Sequence, residues 1–232
     1  MINRAMACSF KHCLLNALFP PQCLHCEDKL PRIPPLLCST CLEQLSLAPI
    51  HQRCWTCFAE LEKGRCERCI HRPVVIRRQL AATENIGPAA TLLHNFSQGQ
   101  RECIAPMAAL MVYQWLEQKM LLPDLVIPLP VSFGNKYKHG FDGNFLLASE
   151  VARLFSVPVV RAFHSRFDLS HFLIQGEFRS RYCLKSRRKE PLADRTLLLI
   201  APFLEDARLR SAGELLQNHF PAQLCVLCFT AY

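Results

Sequence analysis

The sequence lacks any apolar run that approaches the roughly 18 residues a membrane-spanning helix requires. The N-terminal stretch is also not expected to be a secretory leader. The mildly apolar stretch Cys8–Pro20 is interrupted by Lys11, His12 and Asn16, and no small-residue cleavage site follows it. We interpret this stretch as a short amphipathic helix. These absences predict a cytoplasmic protein that does not insert into membranes.

Signatures of catalysis are equally scarce. The sequence contains no P-loop, no Ser/His/Asp or Cys/His arrangement and no paired-carboxylate motif, so no catalytic residue is assigned. It has no low-complexity segment, and 50% of its 232 residues are hydrophobic, which is typical of a globular protein and excludes a disordered one.

Cysteine, in contrast, is abundant, with 14 residues. Disulfide frameworks belong to short secreted chains, and nothing in this sequence indicates secretion. The distribution is also uneven, because eight of the cysteines lie between Cys23 and Cys69 while the others are scattered. This clustering favours metal binding over disulfides. The scattered Cys103, Cys183, Cys225 and Cys228 are interpreted as core residues.

The eight clustered cysteines form four Cys-x-x-Cys pairs, and a two-residue spacer lets both sulfurs of a pair face one side of a tight turn. Two such pairs supply the four tetrahedral ligands that zinc prefers, and four thiolates close its coordination sphere. The spacing therefore predicts two structural zinc ions. Sequential and nested combinations of the pairs both remain open. The pairs are Cys23/Cys26, Cys38/Cys41, Cys54/Cys57 and Cys66/Cys69.

The formal charge of +8 falls to about +4 if eight thiolates bind two zinc ions. The remaining positive charge is concentrated between Arg161 and Glu190 and in a second cluster from Arg65 to Arg78. Basic clusters of this kind suit phosphate-bearing partners, although a solvated surface explains them equally well.

Sequence character changes near residue 78, which predicts a zinc-binding module over 1–78 and an α/β domain over 79–232. Apolar runs without alternation, separated by helical patterns, indicate a parallel sheet with covered faces. The predicted strands are Gln79–Thr83, Asp124–Ile127, Val157–Val160, Thr196–Ile200 and Gln223–Phe229. The predicted helices are Pro88–His94, Ile104–Lys119, Asp142–Phe155 and Asp206–Asn218.

Several motifs, taken in this order, resemble the ComF/GntX family of competence-associated proteins. They are Pro21–Cys26, the three later cysteine pairs, Asp124–Pro130, His139–Asp142 and Gln175. The resemblance spans about Leu14 to the end of the sequence. It implies zinc ribbons joined to a phosphoribosyltransferase-like domain, and a cytoplasmic role in DNA uptake. In that role the protein would handle single-stranded DNA beside a competence helicase or another DNA-processing protein.

The sequence departs from active phosphoribosyltransferases at the strand that carries their acidic pair. In those enzymes, two carboxylates bind the ribose hydroxyls and a Thr-Thr-Gly-x-Thr loop cradles the phosphate. Here Ala201-Pro202 follow Leu197–Ile200, and the loop reads Glu205–Leu209. Shifting the register so that Glu205-Asp206 become the acidic pair still leaves no such loop. The expectation is therefore a pseudoenzyme that binds neither phosphoribosyl pyrophosphate nor Mg²⁺.

A phosphate-binding surface is the main functional expectation, and two alternatives stay open. One is an active phosphoribosyltransferase that uses phosphoribosyl pyrophosphate, and the other is a zinc-stabilised scaffold that binds a protein partner. The candidate phosphate-binding residues are Lys136, Lys138, Arg179, Arg181, Lys185, Arg187 and Arg188.

Overall fold

The computed structural model describes residues 21–30, 36–62, 64–71, 76, 78–130, 140–167, 180–184, 191–204 and 207–231, without the side chains of 164–167, 180–183, 207 and 208. Within these ranges, no helix combines the length and the apolar character needed to cross a bilayer. The expected helix at Cys8–Pro20 lies outside the described residues.

The elements follow one another as short helices first and then an alternation of strands and helices. In chain order they are α1 (Ser39–Glu43), α2 (Glu67–His71), β1 (Arg78–Thr83), α3 (Gly87–Ser97), α4 (Ile104–Glu117), β2 (Leu125–Pro128), α5 (Gly143–Phe155), β3 (Phe163–Phe167), β4 (Ser180–Leu184), β5 (Thr196–Phe203), α6 (Ala207–Gln217) and β6 (Gln223–Thr230). A 3₁₀ turn, Arg101–Cys103, precedes α4.

Four parallel strands form the main sheet in the order β1-β6-β5-β2. Ala81 lies opposite Cys228, Ile200 opposite Leu227, and Ile127 opposite Leu199. All four residues of β2 are buried, as are most of those in β5 and β6. Strands that are apolar on both faces need cover on both faces, so the predicted α/β class with a parallel sheet is confirmed.

Helices α4 and α5 pack against each other and cover the sheet, with α4 on β1 and β6 and α5 on β2 and β5. Asp142 caps α5 because its carboxylate accepts a hydrogen bond from the Phe145 N–H at 3.0 Å. Pro106 lies in the first turn of α4, where its missing N–H costs nothing. Trp115 of α4 is fully buried and meets the Phe155 ring edge-on at 6.2 Å.

Three expectations differ from the structure. Val157–Val160 forms no strand, since only Val159 bridges to β2, at Val126. The strand predicted to end at Ile200 continues to Phe203. An antiparallel hairpin of β3 and β4 occupies part of the basic stretch, where no regular structure was expected. In the third case, the polar residues of that stretch conceal the strand pattern.

Buried residues from both predicted regions join in one hydrophobic cluster. Leu30, Leu37 and Phe58 from the cysteine-rich segment are continuous with the sheet core. The backbone also crosses between the regions, since the Ala48 N–H donates to the Ala82 carbonyl at 2.9 Å. The proposed division at residue 78 stays a prediction.

Candidate metal centres and the carboxyl edge of the sheet

The first cysteine pair lies in a tight turn closed by backbone hydrogen bonds. The Cys23 N–H donates to the Asp28 carbonyl at 2.8 Å, and the Glu27 N–H donates to the Cys23 carbonyl at 2.9 Å. Glu27 has φ +63°, the left-handed region that most side chains avoid. The turn needs this conformation to bring the chain back after Cys26, so both sulfurs face the same side.

The third pair repeats this turn bond for bond, 31 residues later. The Cys54 N–H donates to the Ala59 carbonyl at 2.8 Å, and the Phe58 N–H donates to the Cys54 carbonyl at 2.9 Å. Phe58 has φ +60°, matching Glu27. The cysteine-rich segment therefore contains a structural repeat.

The second and fourth pairs lie at the start of short helices. Cys38 is the N-cap of α1, and its sulfur accepts from the Cys41 N–H at 3.4 Å. Cys66 precedes α2, and its carbonyl accepts from the Ile70 N–H at 3.2 Å. Each five-residue helix is too short to be stable by itself. A metal bound by the cysteines would therefore hold each helix in place.

These turns and helix starts bring the sulfurs together in two groups of four, with every sulfur of a group within 4.8 Å of the others. The groups combine the pairs sequentially, which answers a question that the spacing left open. The Cys26 and Cys38 sulfurs are 3.6 Å apart, and the Cys57 and Cys66 sulfurs are 3.4 Å apart. Distances of this size suit four ligands around one tetrahedral ion. The groups are Cys23, Cys26, Cys38 and Cys41, and Cys54, Cys57, Cys66 and Cys69.

Without an ion, the thiols of each group differ in acidity. Burial raises the pKa of Cys23, but N–H groups of Cys26, Cys38 and His25 donate to its sulfur and lower the pKa to about 6. Burial raises the pKa of Cys41 to about 11 and, with the Cys66 thiol beside it, also raises the pKa of Cys57 to about 11. A bound cation must therefore displace protons from each group.

Histidines do not take part in these groups. His25, His51 and His71 are exposed, as expected from the sequence. His25 instead joins the first group to α3, with its Nδ1 2.8 Å from the Thr91 hydroxyl. Cys103, Cys225 and Cys228 are at most 1% exposed, which confirms them as core residues.

A buried arginine joins the second group to the end of β1. Arg53 is 7% exposed, and its guanidinium pairs with Glu84 and, at 3.3 Å, with Glu60. The same group donates to the Phe58 carbonyl at 3.4 Å. A buried cation with several acceptors is held in one geometry. The second metal group is therefore fixed relative to the sheet.

The carboxyl edge of the sheet differs from the expectation because β5 is longer. Ala201 is fully buried within β5, and Pro202 also lies on the strand. Residues 204–206 are all that connects β5 to α6. On this edge, Asn144 is 3% exposed and its side-chain amide donates to the Leu129 carbonyl at 2.9 Å.

Most of the predicted phosphate-binding residues lie outside the described residues. This applies to Lys136, Lys138, Arg179, Lys185, Arg187 and Arg188. Arg181 lies on β4, opposite Arg166 of β3, and its side chain is not described. Their role stays a prediction.

Sequence reasoning missed a different set of arginines, each held over an aromatic ring. The guanidinium carbon of Arg101 is 4.4 Å from the Phe141 ring centroid, and that of Arg161 is 3.5 Å from the Phe145 centroid. Arg78 lies 5.8 Å from the Trp55 centroid. In sequence, Trp55 is 23 residues from Arg78, Phe141 is 40 residues from Arg101, and Phe145 is 16 residues from Arg161. At these separations no local sequence pattern indicates the pairs.

Comparison with known proteins supports the competence resemblance. Competence protein F of Haemophilus influenzae is 23% identical over 144 residues, which are 59% of this chain and 62% of that protein. The match thus leaves more than a third of the relative's length uncovered. No protein-family model matches the chain.

Two solved structures are also similar, and both are phosphoribosyltransferases. The purine phosphoribosyltransferase of Pyrococcus horikoshii has a TM-score of 0.36 and 11% identity, covering 53% of this chain and 69% of that one. The hypoxanthine-guanine phosphoribosyltransferase of L. donovani has a TM-score of 0.27 and 15% identity, covering 60% and 70%. At these low values, the neighbours' activity says nothing about the activity of this chain.

Proposed function

We propose that this protein is a zinc-stabilised, cytoplasmic competence protein that binds single-stranded DNA and does not transfer phosphoribosyl groups. One observation carries the second half of this proposal. The connection between β5 and α6 consists of residues 204–206 alone, which leaves too little chain for both an acidic pair and a five-residue phosphate loop.

There are two ways to align β5 with the acidic pair of the active enzymes, and neither provides a complete site for phosphoribosyl pyrophosphate. If Ala201 and Pro202 take the positions of the acidic pair, a buried methyl group and a ring replace the two carboxylates. If Glu205 and Asp206 take those positions, α6 begins at the next residue, Ala207. No residues then remain for a phosphate loop before the helix, so either register disfavours binding of phosphoribosyl pyrophosphate.

Zinc is the metal we assign to the two sulfur groups, because four thiolates in a tetrahedral arrangement favour it. A closed sphere leaves no position for water or substrate, so the ions stabilise the fold and take no part in chemistry. We expect mass spectrometry of the purified protein to find two zinc ions per chain.

Single-stranded DNA binding is supported by three features. The relative that covers most of this chain is named a competence protein. The formal net charge of +8 falls to about +4 when eight thiolates bind two zinc ions, and this remaining positive charge favours phosphate-bearing partners. Exposed arginines over aromatic rings provide groups suited to both phosphates and bases. In this role, the protein would pass the incoming strand to a helicase or another DNA-processing protein.

The test measures two activities on the same preparation. Fluorescence anisotropy with a labelled oligothymidine should show binding that weakens steeply between low and high salt. Incubation with phosphoribosyl pyrophosphate, Mg²⁺ and nucleobases should release no pyrophosphate. Binding that does not change with salt would contradict the DNA role, and pyrophosphate release would contradict the loss of catalysis.

A protein-binding scaffold is the second candidate, and exposed apolar residues of the cysteine-rich segment favour it. Trp55 and Ile70 are each 64% exposed, and Leu42 is 60% exposed. Large exposed apolar side chains mark a contact surface where they form one contiguous patch. A purified partner that binds the wild type but not Trp55→Ser, in the absence of nucleic acid, would favour the scaffold over DNA binding.

A further inference from the structure

Two of the stacked arginines share one region of the molecule. Arg101 lies over Phe141, and Arg161 lies over Phe145. The two phenylalanines are four residues apart and flank the first turn of α5. We call these four residues the Arg–Phe edge.

The fold builds this edge from three separate segments. The 3₁₀ turn before α4 supplies Arg101. Arg161 follows Val159, which bridges to Val126 of β2. The phenylalanines come from the start of α5, which follows the carboxyl end of β2. The start of α5 packs closely against Phe96 of α3. The contact at Gly143 is so close that an added Cβ would lie only 3.1 Å from the Phe96 ring.

The charges of the Arg–Phe edge are not neutralised within the described part of the chain. Arg101 and Arg161 are exposed, and no ion pair to a described carboxylate is found for either. Asp142 lies between the two phenylalanines, but its carboxylate accepts the Phe145 N–H as the helix cap. Glu102 adjoins Arg101 in sequence, and the described residues show no ion pair between the two. In contrast, Arg153 on the same helix pairs with Glu150 at 2.6 Å.

A guanidinium already held over a phenyl ring gives up little rotational freedom when it binds a ligand. Its outer face can stack on a nucleobase, and its N–H groups remain free for phosphate. Duplex bases already stack on one another, so only an unpaired strand offers a base face to such a group. The arrangement therefore suits a single strand better than a duplex or free phosphate.

We propose that the Arg–Phe edge is a contact surface for single-stranded nucleic acid, in which Arg101 and Arg161 bind successive phosphates or bases of one strand. This inference rests on the proposed DNA-binding function and names the side chains that perform it. None of its four residues is among the predicted basic residues of 136–138 and 179–188.

The experiment titrates the full-length, metal-loaded protein against a fluorescein-labelled oligothymidine of about 20 nucleotides, longer than a typical single-domain site. Arg101→Gln and Arg161→Gln should each weaken binding roughly tenfold and lower the salt dependence by about 0.7 per arginine. Phe145→Leu keeps the charge and most of the apolar volume, so it should weaken binding a few-fold while the salt dependence stays unchanged.

Arg153→Gln is the matched control, because it removes the same charge from an exposed arginine of α5, the helix that carries Phe145; it should change affinity by less than about twofold. A second control, Arg78→Gln, breaks the same kind of stack at the start of β1, the other end of the strands. Circular dichroism and thermal melting confirm that each variant is folded.

The outcomes separate this inference from the proposed function. If the wild type does not bind the oligonucleotide at all, both are wrong. If it binds and the Arg101 and Arg161 variants behave like Arg153→Gln, the DNA role stands and the Arg–Phe edge is wrong. If an equally long duplex binds as tightly as the single strand, the single-strand assignment is overturned.

Discussion

The two halves of this molecule are stabilised in different ways. The cysteine-rich segment, 21–71, has few buried apolar side chains, and its two helices are five residues long. The sheet region buries all of β2 and most residues of β5 and β6. If metal fills both sulfur groups as proposed, the first depends on metal–sulfur bonds, whereas the second depends on apolar burial. Each half should respond to a perturbation that leaves the other almost unchanged.

Metal removal should have the largest effect, and it should act on the cysteine-rich segment. Structural zinc sites contribute about 10–16 kcal/mol of binding free energy at neutral pH. A strong chelator should therefore unfold 21–71 while the sheet stays folded. Hydrogen exchange followed by mass spectrometry should show fast exchange in the first region and continued protection in β5 and β6.

Acidification should release the metal as the chelator does. Cys41 and Cys57, with pKa values near 11, are protonated in the metal-free protein throughout the neutral range. Each must lose a proton to bind zinc, so affinity should fall as the pH falls. A competition titration with a coloured chelator at pH 8 and pH 6 measures this. Equal affinity at both values would mean that these thiols are not ligands.

A cavity created in the sheet should have the next largest effect on stability, and it should not release the metal. Leu198 is fully buried on β5, between Val126 and Cys225. Leu198→Ala should destabilise the protein by about 2–5 kcal/mol in urea unfolding. The zinc content of the folded variant should remain at two ions. A loss of zinc at low urea would show that the halves are more strongly coupled than proposed.

Breaking the Arg53 ion pairs, which link the two halves, should destabilise the protein less than the cavity does. Arg53→Met removes the cation that pairs with Glu84 and Glu60. Because both carboxylates are partly exposed, the expected destabilisation is about 1–3 kcal/mol. Arg210→Met, which breaks the exposed pair with Glu214 at 3.2 Å, should cost less than about 1 kcal/mol. Similar losses in both variants would mean that Arg53 does not hold the second metal group in place.

The smallest effect concerns the repeated turn. Glu27 has φ +63° and an exposed side chain, so Glu27→Gly should relieve strain and stabilise by up to about 1 kcal/mol. Phe58 has nearly the same φ, but its ring is 2% exposed. Phe58→Gly should therefore destabilise the protein. Measuring both by urea unfolding separates backbone strain from side-chain burial.

The sheet could be predicted from the sequence because its strands are apolar throughout and its helices are periodic. Three strands were predicted to within one residue at each end, and a fourth, β5, was predicted three residues too short. Val157–Val160 was wrongly taken as a strand because its branched residues suggest one, whereas Pro158 has no N–H to donate to a neighbouring strand. The β3–β4 hairpin could not be predicted, since its residues include Arg166, Arg181 and other polar side chains.

The eight clustered cysteines could be predicted as candidate ligands because four cysteine pairs have one spacing, but the way the pairs combine into two groups could not. It depends on turn geometry at Glu27 and Phe58, which no residue preference reveals. The Arg–Phe edge could not be predicted because Arg101 meets Phe141 only after three segments have packed. Contacts of this kind depend on tertiary structure and not on local pattern.

The position of β6 has a consequence for how the protein is made. This strand lies between β1 and β5, yet it leaves the ribosome after both. Until it emerges, β1 has no neighbour in the sheet, while the cysteine pairs have long been free to take up metal. The two halves would then be completed at different times during synthesis, with the cysteine-rich segment first and the sheet last.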